Sequence, residues 1–329
     1  MAPPYLDASR IDPNLTWSDV VAALDDGHAR ARAQVEDVLL QPDRNGLLNR
    51  AAWIPGLGFG LKTVSVFPDN PARTPALPSV QGVFVLFDDA TGAVRAMIDG
   101  AAITGWKTAG DSVLGARYLA RADSRELLVV GAGSVARHLI PAYRALFPGL
   151  ARVRIASRSG TSARRLAAEM AAAGHPAEAA DDPEAALATA DIVATATFAR
   201  APILPGRALR PGTHVDLVGA FAADMREADD AVLQRGEIFV DSRASARDHI
   251  GELRLPIEHG TIAPGDVRGD LYDLRAGRAG RSGTDAITVF KNGGGAHLDL
   301  MVADLMVRHC LGDPAGETPD ESRGGGDPA

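Results

Sequence analysis

The stretch that most constrains this chain is "LLVVGAGSVARHLI", residues 127–140. Leu127–Gly131 is a continuous apolar run with no alternation, which predicts a strand covered on both faces. Val135–Phe147 has the spacing of a helix. Between them stands Gly131-x-Gly133-x-x-Ala136, and in a strand–turn–helix setting each position has a physical task. Gly131 permits the tight turn, Gly133 lets the backbone approach a pyrophosphate, and Ala136 keeps the helix close to the sheet. The helix start at Ser134 and Val135 offers free N–H groups and the positive end of a dipole to an anion.

The segments beyond Phe147 fit a sheet built around that unit. "RVRIAS", "DIVATAT", "THVDLVG" and "EIFVDS" read as further buried strands, and "TSARRLAAEMAAAG" reads as a helix between two of them. The fold class is therefore α/β, a doubly wound parallel sheet. A grip on the ribose 2′-hydroxyl of NAD needs a carboxylate at the end of the second strand, where this chain reads "IASRSG". Ser157, Arg158 and Ser159 instead suit a 2′-phosphate, since Arg158 can neutralise it. The cofactor expected is NADPH, with NADH left open because Arg158 can also stack on adenine.

The first hundred residues have another texture. Thr16 and Asp19 form a capping-box variant ahead of a helix expected over "DVVAALDDGHARARAQVEDVLL". From Gly46 to Asp99 short strand-like runs alternate with Pro, Gly and Asp turns, which predicts an antiparallel sheet. One of them, "GLKTVSVFPDN", places Lys62 among small and apolar residues, either as a solvated strand residue or as a charge held in a pocket. Helix returns with "TGWKTAGDSVLGARYLAR". Near the end, "AITVFKNGGGAHLDLMVADLMVRHC" reads as a strand, a glycine turn and a helix that crosses back to the first part of the chain. Two domains are expected. Residues 314–329 are polar and expected to be disordered.

Composition excludes several function classes. A net charge of -8 over 329 residues argues against nucleic acid as a partner. No apolar run approaches a membrane span, and the N-terminus has no signal-peptide pattern. The lone Cys310 allows no internal disulfide, the eight histidines lack metal-ligand spacing, and a cytoplasmic protein without a metal is expected.

Five segments in order, "GLKTVSVFPDNPA", "LPSVQGVFVLFDDATG", "ITGWKTAGDSVLGARYLARADSRELLVVGAGSVA", "VGAFAADMREADD" and "ITVFKNGGGAHLDL", resemble the ornithine cyclodeaminase/mu-crystallin family. The resemblance implies a Rossmann-type dinucleotide-binding domain, residues 122–295, inserted in an α+β substrate and dimerisation domain of residues 1–121 and 296–329, and a homodimer. It places the family's catalytic lysine on Lys62, which in members touches the substrate carboxylate and the reacting nitrogen. Ser79 falls where members have a small hydroxyl residue. Lys107 stands where members carry a carboxylate-clamping arginine, a point charge in place of a fork. Arg50 is the candidate for the remaining carboxylate contact. Thr108, Thr195, Thr197, Val218, Gly219, Lys291, Asn292 and Gly293 are expected to line the cofactor, whereas His297 and Asp299 read as capping and packing groups.

Cyclodeaminases carry an aspartate where this chain has Phe221, with Asp216 and Asp224 nearby to compensate. Loss of that carboxylate removes a partner for an ammonium group, and a phenyl ring supplies a dry wall for an unsaturated ring. The expectation is an NAD(P)H-dependent reductase of a small cyclic imino acid, Δ1-pyrroline-2-carboxylate to proline or its six-membered homologue to pipecolate. The alternatives are an ornithine cyclodeaminase, an amino-acid dehydrogenase or a reductase of open-chain imines such as iminosuccinate. A non-catalytic NADP(H)-binding protein of the crystallin kind is the alternative of another class.

Overall fold

The computed structural model describes residues 2–312. The tail expected to be disordered lies outside the described residues. The chain opens with β1 (Tyr5–Leu6), α1 (Ala8–Ile11) and α2 (Trp17–His28). As expected, α2 starts in a capping box: the Thr16 hydroxyl accepts from the Asp19 N–H, and the Asp19 carboxylate accepts from the Thr16 N–H. The helix ends at His28, however, far short of Leu40. Gln34–Leu40 is a strand, β2, antiparallel to β3 (Gly46–Ile54) from Gln34 against Trp53 to Leu40 against Leu47. The Pro-Asp turn at 42–43 lets this segment fold back on β3, and cross-strand pairing of Val35, Val38 and Leu39 outweighs a weak helical pattern.

β4 (Gly58–Val66), β5 (Val80–Phe87) and β6 (Val94–Asp99) complete a six-stranded sheet in the order β1-β6-β5-β4-β3-β2. All its pairings are antiparallel except β1 with β6. Asp99 then caps α3 (Gly100–Leu119), its carboxylate accepting from the N–H groups of Ala101 and Ala102. Thirteen of the 20 residues of α3 are buried, because it packs on α2, on β5 and on the next sheet.

The second part contains β7 (Glu126–Val130), α4 (Ser134–Leu146), β8 (Arg152–Ala156), α5 (Gly160–Ala172), β9 (Glu178–Ala179), α6 (Pro183–Thr189), β10 (Ile192–Thr195) and β11 (His214–Leu217). It continues through α7 (Asp230–Arg235), β12 (Gly236–Val240), α8 (Arg243–Ala246), α9 (Gly251–Glu258), β13 (Val267–Asp270), α10 (Leu271–Arg275) and β14 (Ile287–Lys291). These strands form an eight-stranded, all-parallel sheet in the order β13-β12-β14-β11-β10-β7-β8-β9. From β7 the chain winds to β8 on one side and then returns to β10 on the other. That reversal opens a crevice at the carboxyl edge of the sheet between β7 and β10. The last helix, α11 (Ala296–Leu311), leaves that edge and packs back onto α2, α3, β3 and β4. Among the described residues no helix is long and apolar enough to cross a membrane.

Candidate active site

Alternation along β4 turns Gly58, Gly60, Lys62 and Val64 to its buried face, so the Lys62 ammonium enters the protein beneath α3 and α11. It donates to Thr104 Oγ1 at 2.6 Å and to Asp299 Oδ1 at 3.0 Å. Thr104 commits its own proton to the Gly100 carbonyl, which fixes its oxygen as an acceptor. Directly across the ladder from Lys62 stands Arg50. Its guanidinium pairs with Asp37 at 2.8 Å and donates through Nη1 to the Gly294 carbonyl at 2.8 Å. Lys107, one turn beyond Thr104 on α3, donates to the same carbonyl at 2.9 Å. Three cations thus converge beside the loop after β14, two of them on one oxygen.

Their electrostatics follow from burial. Lys107 is lowered from 10.5 to about 8, first by desolvation and then by the charges of Lys62 and Arg50, against the opposing pull of Asp299. Burial alone would raise Asp299, but Lys107, Lys62 and Arg50 together outweigh it and hold the carboxyl below its ordinary range. Its second oxygen is buried without a partner. Asp111, one turn past Lys107, is fully buried with neither oxygen bonded. Burial and the neighbouring Asp241 push it well above the usual range. Burial and Lys107 lower His297 to about 3, which holds its ring neutral.

The nucleotide crevice adjoins this cluster. Gly131 has φ +126°, and a Cβ there would lie 2.4 Å from the Ala196 carbonyl oxygen, so only glycine makes this turn. A Cβ at Gly133 would instead meet no protein atom within 4 Å, in the space ahead of α4. No side chain caps α4, which leaves the first N–H groups, from Ser134, Val135 and Ala136, available to an anion. Beyond β8, Ser157 donates to the Ser159 carbonyl, Arg158 and Ser159 are exposed, and α5 also starts without a side-chain cap. These residues fit a dinucleotide.

Residues 54–312 match the model of the ornithine cyclodeaminase/mu-crystallin family. The chain belongs to that family. Among relatives of this family member, a Delta(1)-pyrroline-2-carboxylate reductase of Paracoccus denitrificans is 50% identical over 312 residues, covering 94% of this chain and 98% of the relative. The Thermococcus litoralis Delta(1)-pyrroline-2-carboxylate reductase, solved with NADH and L-proline, superposes with a TM-score of 0.86 at 27% identity, covering 94% of this chain and 97% of that one. An archaeal alanine dehydrogenase dimer with bound NAD gives 0.87 at 26% identity, with the same coverage of 94% and 97%.

Within this family member the remaining expected residues divide sharply. Thr108 is half-buried and gives its backbone carbonyl to Asn292. Val218 is buried, and Gly219 sits where a Cβ would come 2.2 Å from the Thr197 carbonyl. Thr195, Lys291 and Asn292, expected on the cofactor, keep their side chains inside the protein. Thr195 donates to Glu227, Lys291 donates to the carbonyls of Leu217 and Asn292, and Asn292 donates to Thr108 and Ser112. Gly293 belongs to the same turn. Ser79 does not join the cations: its carbonyl pairs with Phe67, five residues along from Lys62, or about 16 Å at strand rise. Phe221 is exposed beyond β11.

Asp216 does not compensate for the missing aspartate, being buried against Ser112 and Tyr143, and Asp224 pairs with Arg200 at the surface. Asp299 corrects the expectation most. It is the buried counter-ion of Lys62, not a helix cap. An acid in the first turn of a helix reads as a cap in any sequence, and only the packing of α11 on β4 shows the other use. Thr104, three residues before Lys107, carries no local signal either.

Proposed function

We propose that this protein is an NADPH-dependent reductase of small cyclic imino acids, with Δ1-pyrroline-2-carboxylate as substrate and proline as product. The observation that carries the reading is the convergence of Arg50, Lys62 and Lys107 beside the crevice. A carbonyl oxygen shared by Arg50 and Lys107 at 2.8 and 2.9 Å marks a place where a substrate carboxylate would be welcome. The relatives named for pyrroline-2-carboxylate reduction support the substrate class. Phe221, in place of a carboxylate that would engage an amine, supports reduction over ammonia release.

The turn at Gly131, Gly133 and Ala136 would hold the pyrophosphate, and Ser157, Arg158 and Ser159 the 2′-phosphate. When bound, the nicotinamide supplies the hydride. The protein's own residues orient and charge the substrate. Arg50 and Lys107 fix its carboxylate, turning an encounter into an aligned complex. Lys62 holds two of its three protons on Thr104 and Asp299, which leaves one donor for the substrate carboxylate or ring nitrogen. Asp299 pairs with that ammonium and aims it.

A homodimer belongs to the same proposal. The first sheet exposes Val35, Val38, Leu39, Leu40, Leu47, Trp53 and Val80, apolar side chains that a second copy of the chain would cover.

The test is a panel of Δ1-pyrroline-2-carboxylate, its six-membered homologue, iminosuccinate and ornithine with both nicotinamides. Oxidation of NADPH with the cyclic imines, and no ammonia from ornithine, is the expected outcome. Ammonia release from ornithine would replace the reading with a cyclodeaminase. Tight NADPH binding without turnover of any imine would leave a binding protein.

A further inference from the structure

Two phenylalanines stand in water at the carboxyl edge of the parallel sheet. Phe198, just past β10, is 83% exposed, and Phe221, just past β11, is 64% exposed. Their ring centroids lie 6.0 Å apart at an interplanar angle of 88°, an edge-to-face pair. The reactive end of a bound dinucleotide would lie over these strands, because the crevice opens between β7 and β10 and its adenine end would fall on the β8 side. The loop after β14, whose Gly294 carbonyl binds Arg50 and Lys107, leaves the same edge one strand further on.

The two rings are not on slack loops. Glu227 is fully buried and accepts four hydrogen bonds, each at 2.7 Å, from Thr195 Oγ1, the Thr197 N–H, Thr197 Oγ1 and the Gly219 N–H. One of its oxygens therefore holds the residue before Phe198, and the other spans from β10 to the residue two before Phe221. The backbone repeats the tie: the Arg226 N–H donates to the Ala199 carbonyl, and the N–H groups of Ile203 and Leu204 donate to the Glu227 carbonyl. Glu252 fixes the clip in turn, accepting from the N–H groups of Glu227 and Ala228. A carboxylate buried with four donors aimed at it is an expensive device for shaping two loops, which hold these rings beside the exposed Arg200–Asp224 ion pair and Ile203.

We propose that Phe198 and Phe221 form one aromatic wall against which the substrate ring packs, that Glu227 is its positioning residue, and that the wall selects a closed apolar imine ring over an open-chain or dicarboxylic imine. This deepens the imine-reductase reading and rests on it. The polar contacts gather at the substrate carboxylate, on Arg50, Lys62 and Lys107. The wall meets the ring's methylenes, where a second carboxylate would lose water against two aryl faces, and the neighbouring Arg200 is already paired with Asp224.

The test compares Phe198→Ala, Phe221→Ala, the double variant, and Glu227→Gln alone and in the double-variant background. KM and kcat are read for Δ1-pyrroline-2-carboxylate and for iminosuccinate. Binding of pyrrole-2-carboxylate, a flat unreducible ring, to the NADP-loaded protein is read by calorimetry. Each phenylalanine variant should raise KM for the cyclic imine about tenfold, leave kcat within about threefold, and leave KM for iminosuccinate unchanged or lower. Glu227→Gln should reproduce the loss of ring selectivity and add little to the double variant, since its effect passes through the rings. A Glu227→Gln effect that simply adds to theirs would assign it a general structural role, and an equal loss for both imines would remove the wall. Should Glu227→Gln fail to fold, Thr197→Val, which deletes one bond to the clip, takes its place. If the wild type reduces no cyclic imine, the reading beneath has failed, while weaker pyrrole-2-carboxylate binding to the alanine variants still supports the wall and equal binding overturns it.

Discussion

Lys107 offers the sharpest quantitative test of the cation cluster, because its charge is poised. Burial and two neighbouring cations bring it from 10.5 to about 8, which makes charging it about 3 kcal/mol harder than in water. A lysine lowered in this way loses its proton as pH rises through about 8. In the free enzyme it is then about nine-tenths charged at pH 7 and about one-tenth charged at pH 9. If the cation holds the substrate carboxylate, kcat/KM should fall about ninefold over that range through this group alone. Lys107→Arg keeps a cation throughout and supplies a fork for the carboxylate. The iminium form of the substrate also titrates, but identically for both enzymes, so the ratio of wild-type to variant kcat/KM isolates Lys107. That ratio should be flat below pH 7 and decline toward pH 9. A second readout carries the opposite sign. Between about pH 8 and 10.5 the unfolded chain binds more protons at this position than the folded one, so wild-type stability should rise with pH relative to Lys107→Arg by about 2–3 kcal/mol in urea titrations. Parallel pH–rate profiles for the two enzymes would refute the argument.

Three further outcomes are expected. Lys62→Met should abolish turnover while leaving the NADPH dissociation constant within about twofold, and should cost about 3 kcal/mol at pH 7 because Asp299 loses its bonded partner; fluorescence titration and urea unfolding check both, and equal loss of turnover and cofactor binding would contradict the role. Arg158→Ala should raise KM for NADPH at least about tenfold and KM for NADH much less, since stacking on adenine serves both cofactors while the 2′-phosphate that the guanidinium neutralises is carried by NADPH alone; no change in preference between the two cofactors would remove the phosphate assignment. Gly131→Ala should lose about 2–3 kcal/mol and most of the cofactor affinity, because φ +126° and the Ala196 carbonyl leave no place for a methyl group; a well-folded variant with native NADPH affinity would show that the turn is not the binding element.

How much of the fold and site is legible in the sequence depends on the range of the interactions. The glycine turn, the strands on either side of β7 and the capping box at Thr16 are local patterns, and the structure has them where the sequence places them. β2 escapes the sequence because seven exposed residues on an edge carry no burial pattern, and their pairing with β3 is a tertiary fact. The site splits the same way. Lys62 stands out because a cation in an apolar strand is locally odd. Asp299 does not, since an acid opening a helix is ordinary until α11 is laid against β4. Lys291 errs in the other direction: beside a glycine loop it reads as a ligand contact, whereas the fold buries its amine on two carbonyls. Phe198 and Glu227 share the cause, because a clip between the ends of two strands has no signature in either one.

The central claim is that Lys62, Arg50 and Lys107 together receive a substrate carboxylate at the mouth of the nucleotide crevice. A crystal structure of the protein with NADP and L-proline tests it most directly. The account predicts proline's carboxylate within hydrogen-bonding distance of at least two of these three side chains, with its ring facing Phe221. A proline bound elsewhere, with Arg50 and Lys107 both still on the Gly294 carbonyl, would contradict it.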